Sequence, residues 1–76
     1  MKIDDFIGNI KDQFDEPESM NLTPMSNFKE VEEWDSIVAI SVIAMADSEY
    51  GIKLTGEDIR NSKTINDLYI IMKGRC

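Results

Sequence analysis

Apolar residues near the start of the chain recur at helical spacing. Ile3, Phe6, Ile7, Ile10 and Phe14 form one stripe with mostly polar residues between them, which predicts an amphipathic helix whose stripe faces a core. Asp4 and Asp5 fall in the first turn, where the helix dipole favours negative charge, and Pro17 is expected to stop the helix. The next stretch, DEPESMNLTPMSNFKEVEEW, has two prolines, several small polar residues and no clean period. It reads as a long loop, unusual in so short a domain. Leu22, Phe28 and Val31 are expected to pin it to the core, which argues against disorder.

After Ser36 the pattern changes. IVAISVI is rich in β-branched residues, a strand-like composition. No turn signal appears before Gly51, however, and a run of this length exceeds a typical strand, so a helix is expected. Ala39, Val42, Ile43, Ala46 and Tyr50 are its expected core stripe. Ile37, Ile40 and Ala44 form a second apolar stripe beside it. A helix apolar on two sides is either deeply buried or carries a binding surface, and burial and partner contact weigh about equally here.

Two shorter helices complete the chain. Thr55 precedes GEDIRN with Asp58 three residues on, and Thr64 precedes INDLYIIMKG with Asp67 in the matching place; both are near capping boxes. Ile52 and Leu54 are expected to be extended and packed inward. Ile65, Leu68, Tyr69 and Met72 make the inner stripe of the last helix, and Gly74 suits its C-terminal cap. The expected fold is all-α: a small four-helix bundle, with three longer helices, one short third helix and a long loop between helices 1 and 2.

Composition sets limits on what such a bundle can do. The 76 residues make one small domain, 1–76, which buries only about 60% of its unfolded surface and leaves little room for a deep catalytic pocket. No apolar run approaches the roughly 20 residues that span a bilayer. The opening MKIDDF lacks a signal-peptide pattern. The single cysteine, Cys76, cannot form an internal disulfide, so a reducing cytoplasm is expected. Residues 1–35 hold ten acids and three bases and thereby carry the whole net charge of −7, while residues 36–76 are balanced. An acidic surface is a poor match for nucleic acid. It is either a solvated face or a docking face for basic partners, and composition alone favours the solvated face.

Ser36 is the residue with candidate chemistry. A serine nucleophile needs a base within reach, most often histidine, and the chain has no histidine. The lysines lie in polar contexts where their pKa would not fall. No zinc or EF-hand pattern is present, so no metal site and no enzymatic activity are expected. A helix cap is one role for Ser36, but Asp35 can cap the helix alone. The serine hydroxyl would then stand free at the first turn. A phosphate attached there would meet the positive end of the helix dipole.

W-D-S-I opening an apolar helix resembles the D-S-L motif of the acyl carrier proteins. The order F-x-x-V-x-x-W-D-S-I, then Y-G-I-x-L-T, then T-I-N-D-L is similar to that family over nearly the whole chain. The resemblance implies that a separate phosphopantetheinyl transferase, with coenzyme A as donor, joins a 4′-phosphopantetheine arm to the Ser36 hydroxyl. The arm's thiol would hold acyl groups as thioesters. Asp35 would help engage the transferase and its metal ion. The implied protein is a monomeric carrier that presents its cargo to loading ligases or synthases with basic docking patches.

The chain departs from the housekeeping fatty-acid carriers, in which D-S-L-D-x-V-E places acids along the second helix. Here those places hold Val38 and Ser41, and the acids Glu30, Glu32, Glu33 and Asp35 lie upstream. A specialised, polyketide-like pathway is therefore expected over fatty-acid synthesis. Glu30, Glu32, Glu33, Ile37, Val38, Ile40 and Ser41 are the expected partner surface. An aminoacyl or D-alanyl carrier is the alternative, and a helical interaction module with Ser36 only as a cap is the alternative of another class. Ala39, Ala44 and Ala46 could leave space for an acyl chain, or simply let helices pack closely.

Overall fold

A computed structural model describes residues 2–15 and 21–75. Pro17, Cys76 and the acids Glu16 and Glu18 lie outside the described residues. Four α-helices form among them: α1 (Ile3–Lys11), α2 (Ser36–Tyr50), α3 (Gly56–Asn61) and α4 (Ile65–Gly74), with a 3-10 turn at Phe28–Glu30 in the long loop and no strand. The β-branched run after Ser36 is helical. α1 packs on α4, α2 on α3, and α3 on α4. This is the expected all-α four-helix arrangement.

The core takes one stripe from each long helix. Phe6, Ile7 and Ile10 of α1 meet Ile65, Leu68 and Met72 of α4, with Ile52 and Leu54 packed in from the connection after α2. Phe6 lies 6.2 Å from the Tyr50 ring and 5.9 Å from the Tyr69 ring, close enough for favourable edge contacts. The Asn9 side-chain amide donates to the Tyr50 hydroxyl at 2.6 Å and ties α1 to the end of α2. Among the described residues, no buried side-chain nitrogen or oxygen lacks a partner.

Three local details differ from the sequence-based expectations. First, α1 ends at Lys11, well before Pro17. Gln13 donates to the Ile10 carbonyl and Phe14 to the Lys11 carbonyl. These tighter bonds swing Phe14 off the helix and into the core. Second, Gly74 is not the cap of the last helix: it is helical, and Arg75 follows as the cap. The Arg75 guanidinium bonds Asp58 and the Lys53 carbonyl, so a side chain fixes this chain end without a left-handed turn. The left-handed glycine is Gly51, at φ 67° after α2. There it lets the Ile52 amide reach back to the Ala46 carbonyl and turns the chain inward.

Third, α2 is rotated from the expected setting. Its buried residues are Val38, Val42, Met45 and Ala46, while Ala39, Ile43 and Tyr50 are only partly buried. Val38 was expected on the partner surface, yet it is 9% exposed and belongs to the core. The positions 38, 42, 45 and 46 also form a helical stripe, and a helix apolar all round offers two such stripes. Tertiary packing into the common core selects this one. Ile37 and Ile40 are left 73% and 66% exposed, and Ala44 is exposed with them while Ala46 is fully buried.

The long loop is held at several points. The carbonyls of Pro24 and Ser26 accept from the amides of Asn66 and Ile65 at 2.8 and 3.1 Å. Phe28 is buried, and Leu22 and Val31 pack against the core as expected. The Lys29 ammonium donates to the Arg60 carbonyl at the end of α3. The loop is thus fixed on α4 and α3 before it delivers the chain to α2.

Candidate functional site

Trp34 sets the position of the residues that follow it. Its ring stands edge-on to Phe28 at 5.1 Å and tilted against Phe14 at 6.3 Å. One half-buried indole therefore joins the end of α1, the 3-10 turn and the start of α2. Its amide also donates to the Val31 carbonyl at 2.9 Å. The Phe14–Phe28–Trp34 cluster is a supporting element that spacing arguments do not reveal, because its members are far apart in sequence.

Asp35 follows in extended backbone as the N-cap of α2. Its side chain accepts from the Val38 amide at 2.9 Å and its carbonyl from the Ala39 amide at 3.0 Å. The cap role expected of Asp35 is observed. Ser36 is the first helical residue and is exposed. No hydrogen bond engages its hydroxyl among the described residues. The amides of Ser36 and Ile37, in the first turn, also have no protein acceptor there, as helix geometry leaves them. A free hydroxyl thus stands beside two free N–H donors at the positive end of a fifteen-residue helix. The arrangement fits an attached phosphate diester, whose negative charge these groups would stabilise.

The other sequence-predicted residues surround this point. Glu30 and Glu32 are exposed and Glu33 is half-buried. None of the three takes part in an ion pair among the described residues. Ile37 and Ile40 are exposed, Ser41 is half-buried and, as noted, Val38 is core. A groove of about 410 Å³ lies at the start of α2, lined by Asp35 and Ile37 on either side of Ser36 in sequence but not by Ser36 itself. Trp34, Ile37 and Val38 form its apolar wall, and Gln13, Asp15, Glu32, Glu33 and Asp35 its polar rim. Gln13 and Asp15 were not foreseen as part of the site. They join it because α1 ends early and the chain turns back beside the start of α2.

No group of three or more His, Cys, Asp and Glu side chains that could hold a metal ion occurs among the described residues. No helix among them is long and apolar enough to cross a membrane.

A comparison with protein families matches the phosphopantetheine attachment site over residues 6–70. No curated protein matches the chain. The family match spans most of the 76 residues and reaches into each of the four helices, so the chain belongs to the phosphopantetheine-binding carrier family. The cofactor of that family is covalently attached 4′-phosphopantetheine.

Proposed function

We propose that Ser36 is the attachment point and that the protein carries acyl groups for partner enzymes. The observation that carries this reading is the exposed, unbonded Ser36 hydroxyl at the open first turn of α2. Once attached, the arm supplies a terminal thiol that holds an acyl group as a thioester. The chain's own residues do the rest. Asp35 takes over the capping of α2, which leaves the serine oxygen free to form the new phosphorus–oxygen bond with coenzyme A as the nucleotide half departs. The serine proton goes to a base on the transferase, since the chain has no histidine to receive it. The first-turn amides and the helix dipole then stabilise the phosphodiester. The carrier performs no catalysis of its own.

Glu30, Glu32, Glu33 and Asp35 support docking of the transferase and other partners with basic patches, with Asp35 also engaging the transferase's metal ion. Electrostatic steering of this kind acts mainly on the association rate. Ile37, Ile40 and Ser41 give the contact an uncharged centre. That centre supports a specialised pathway over housekeeping fatty-acid synthesis, because a partner with a purely basic patch would find no acids along the middle of α2. Intact-mass measurement after incubation with a phosphopantetheinyl transferase and coenzyme A tests the attachment. Wild type should gain one arm and Ser36→Ala none. An equal gain in both proteins, or none in wild type, would overturn the assignment.

A further inference from the structure

We infer that the groove beside Ser36 is a resting site for the cargo, and that it favours short acyl groups bearing an amine over those ending in a carboxylate. The inference rests on Ser36 carrying the arm and names the class of cargo.

Three observations converge on it. The first is position. Asp35 and Ile37 flank Ser36 in sequence and both line the groove, while Ser36 itself does not, so the groove lies within reach of an arm attached at Ser36. A ligand tethered there experiences a local concentration of order millimolar, and a site too weak to hold free ligand is then substantially occupied.

The second is size and surface. At about 410 Å³ the groove lies near the small end of pockets that hold small molecules. A short cargo would fill it, and a longer chain would extend beyond it into solvent. Trp34, Ile37 and Val38 provide an apolar and aromatic wall, and Gln13 adds an amide on the rim.

The third is charge. Asp15, Glu32, Glu33 and Asp35 stand on the rim, and no lysine or arginine lines the groove. Lys29, the nearest base in sequence to Glu32 and Glu33, is turned away to the Arg60 carbonyl. A cargo carboxylate would meet several like charges within a Debye length. An ammonium group would meet opposite charges.

The test uses full-length protein loaded by a transferase from three coenzyme A analogues. Their arms have equal length, end in an amine, a methyl or a carboxylate, and carry a stable amide in place of the thioester. Trp34 is the chain's single tryptophan, so its emission reports on the groove, and intact mass reports on loading. The emission change should be largest for the amine, smaller for the methyl and smallest for the carboxylate. The docked populations of the amine and carboxylate arms should differ by about threefold, the scale of a screened surface charge pair. Glu32→Gln combined with Glu33→Gln should remove most of that difference. Equal emission for all three arms, a larger change for the carboxylate, or a difference that survives the double substitution would each overturn the inference. Arms that attach without altering Trp34 would reject the groove and leave Ser36 as the attachment point. Failure of any arm to attach would reject both.

Discussion

The starts of α4 and α2 are built to the same plan and finished differently. At α4 every first-turn amide is engaged. Ile65 and Asn66 donate to the carbonyls of Ser26 and Pro24, Asp67 donates to the Thr64 hydroxyl, and the Asp67 carboxylate accepts from the Thr64 amide. α2 begins with the same kind of cap, in which Asp35 accepts from Val38. Its box cannot close, because the residue that would reach back is Val38 and not an acid. Among the described residues, no loop carbonyl covers Ser36 or Ile37. One helix start has its donors engaged, whereas the other, among the described residues, has donors and a hydroxyl to spare. The unfinished start distinguishes the proposed attachment site more sharply than the Asp-Ser pair does.

The contrast can be tested in several ways. The strongest perturbation removes the support beneath the open start. Trp34→Ala deletes the ring that joins Phe14 and Phe28. It should cost about 2–3 kcal/mol in denaturant unfolding, below the range for fully buried aromatics because the indole is only half-buried. A loss within about 0.5 kcal/mol, the scale of an ordinary surface change, would show that Trp34 does not hold the site.

Reversing charge near the open start should act on encounter and leave folding nearly unchanged. Glu32→Lys with Glu33→Lys is expected to slow arm transfer about tenfold at low salt, and added salt should slow wild type. Rates unaffected by salt in both proteins would count against steering by these acids.

Smaller effects separate the two starts directly. Thr64→Ala breaks a closed box and should cost about 1 kcal/mol of stability. Ser36→Ala removes a hydroxyl that bonds nothing among the described residues and should stay within about 0.5 kcal/mol. Equal losses measured by thermal or denaturant unfolding would show that Ser36 is also a structural cap.

The smallest effect concerns Asp58, whose carboxylate closes the box at α3. The Arg75 guanidinium, the largest influence, holds its pKa at about 2, below the ordinary 3.8; partial burial opposes this and the Thr55 bonds add to it. Because the folded value is depressed, this stabilisation is complete above pH 3.8 and is lost as pH falls toward about 2. Arg75 is exposed enough for solvent to screen the pair, so Arg75→Ala should lower stability only slightly at neutral pH. The difference from wild type should shrink on acid titration. A constant difference down to pH 2 would assign the loss to packing.

Much of the fold was legible because its signals are local. The Thr55–Asp58 and Thr64–Asp67 pairs sit at fixed spacing and form the full boxes expected of them. The stripe from Ile3 to Ile10 leaves α1 little freedom, since its other faces are polar. Ser36 and Asp35 were legible for the same reason: a cap followed by a free hydroxyl is a property of adjacent residues. Val38 was misplaced because α2 is apolar on several sides, and no periodicity in such a helix says which stripe turns inward. The early end of α1 was missed because Pro17 is the visible stop signal, while the chain leaves the helix through bonds to the Ile10 and Lys11 carbonyls, with Phe14 packed on the distant Trp34.

By itself, then, the sequence determined the number and kind of elements, where three of the helices begin, and which serine could stand free. These follow from propensity, capping and spacing, all of which act within a few residues. Only the tertiary structure decided that α2 buries Val38 and exposes Ile37 and Ile40. It also decided that Phe14, Phe28 and Trp34 meet, and that Gln13 and Asp15 join Glu32 and Glu33 around one groove. Each of these depends on packing between segments distant in the chain, where shape and volume choose among arrangements that local pattern leaves equal.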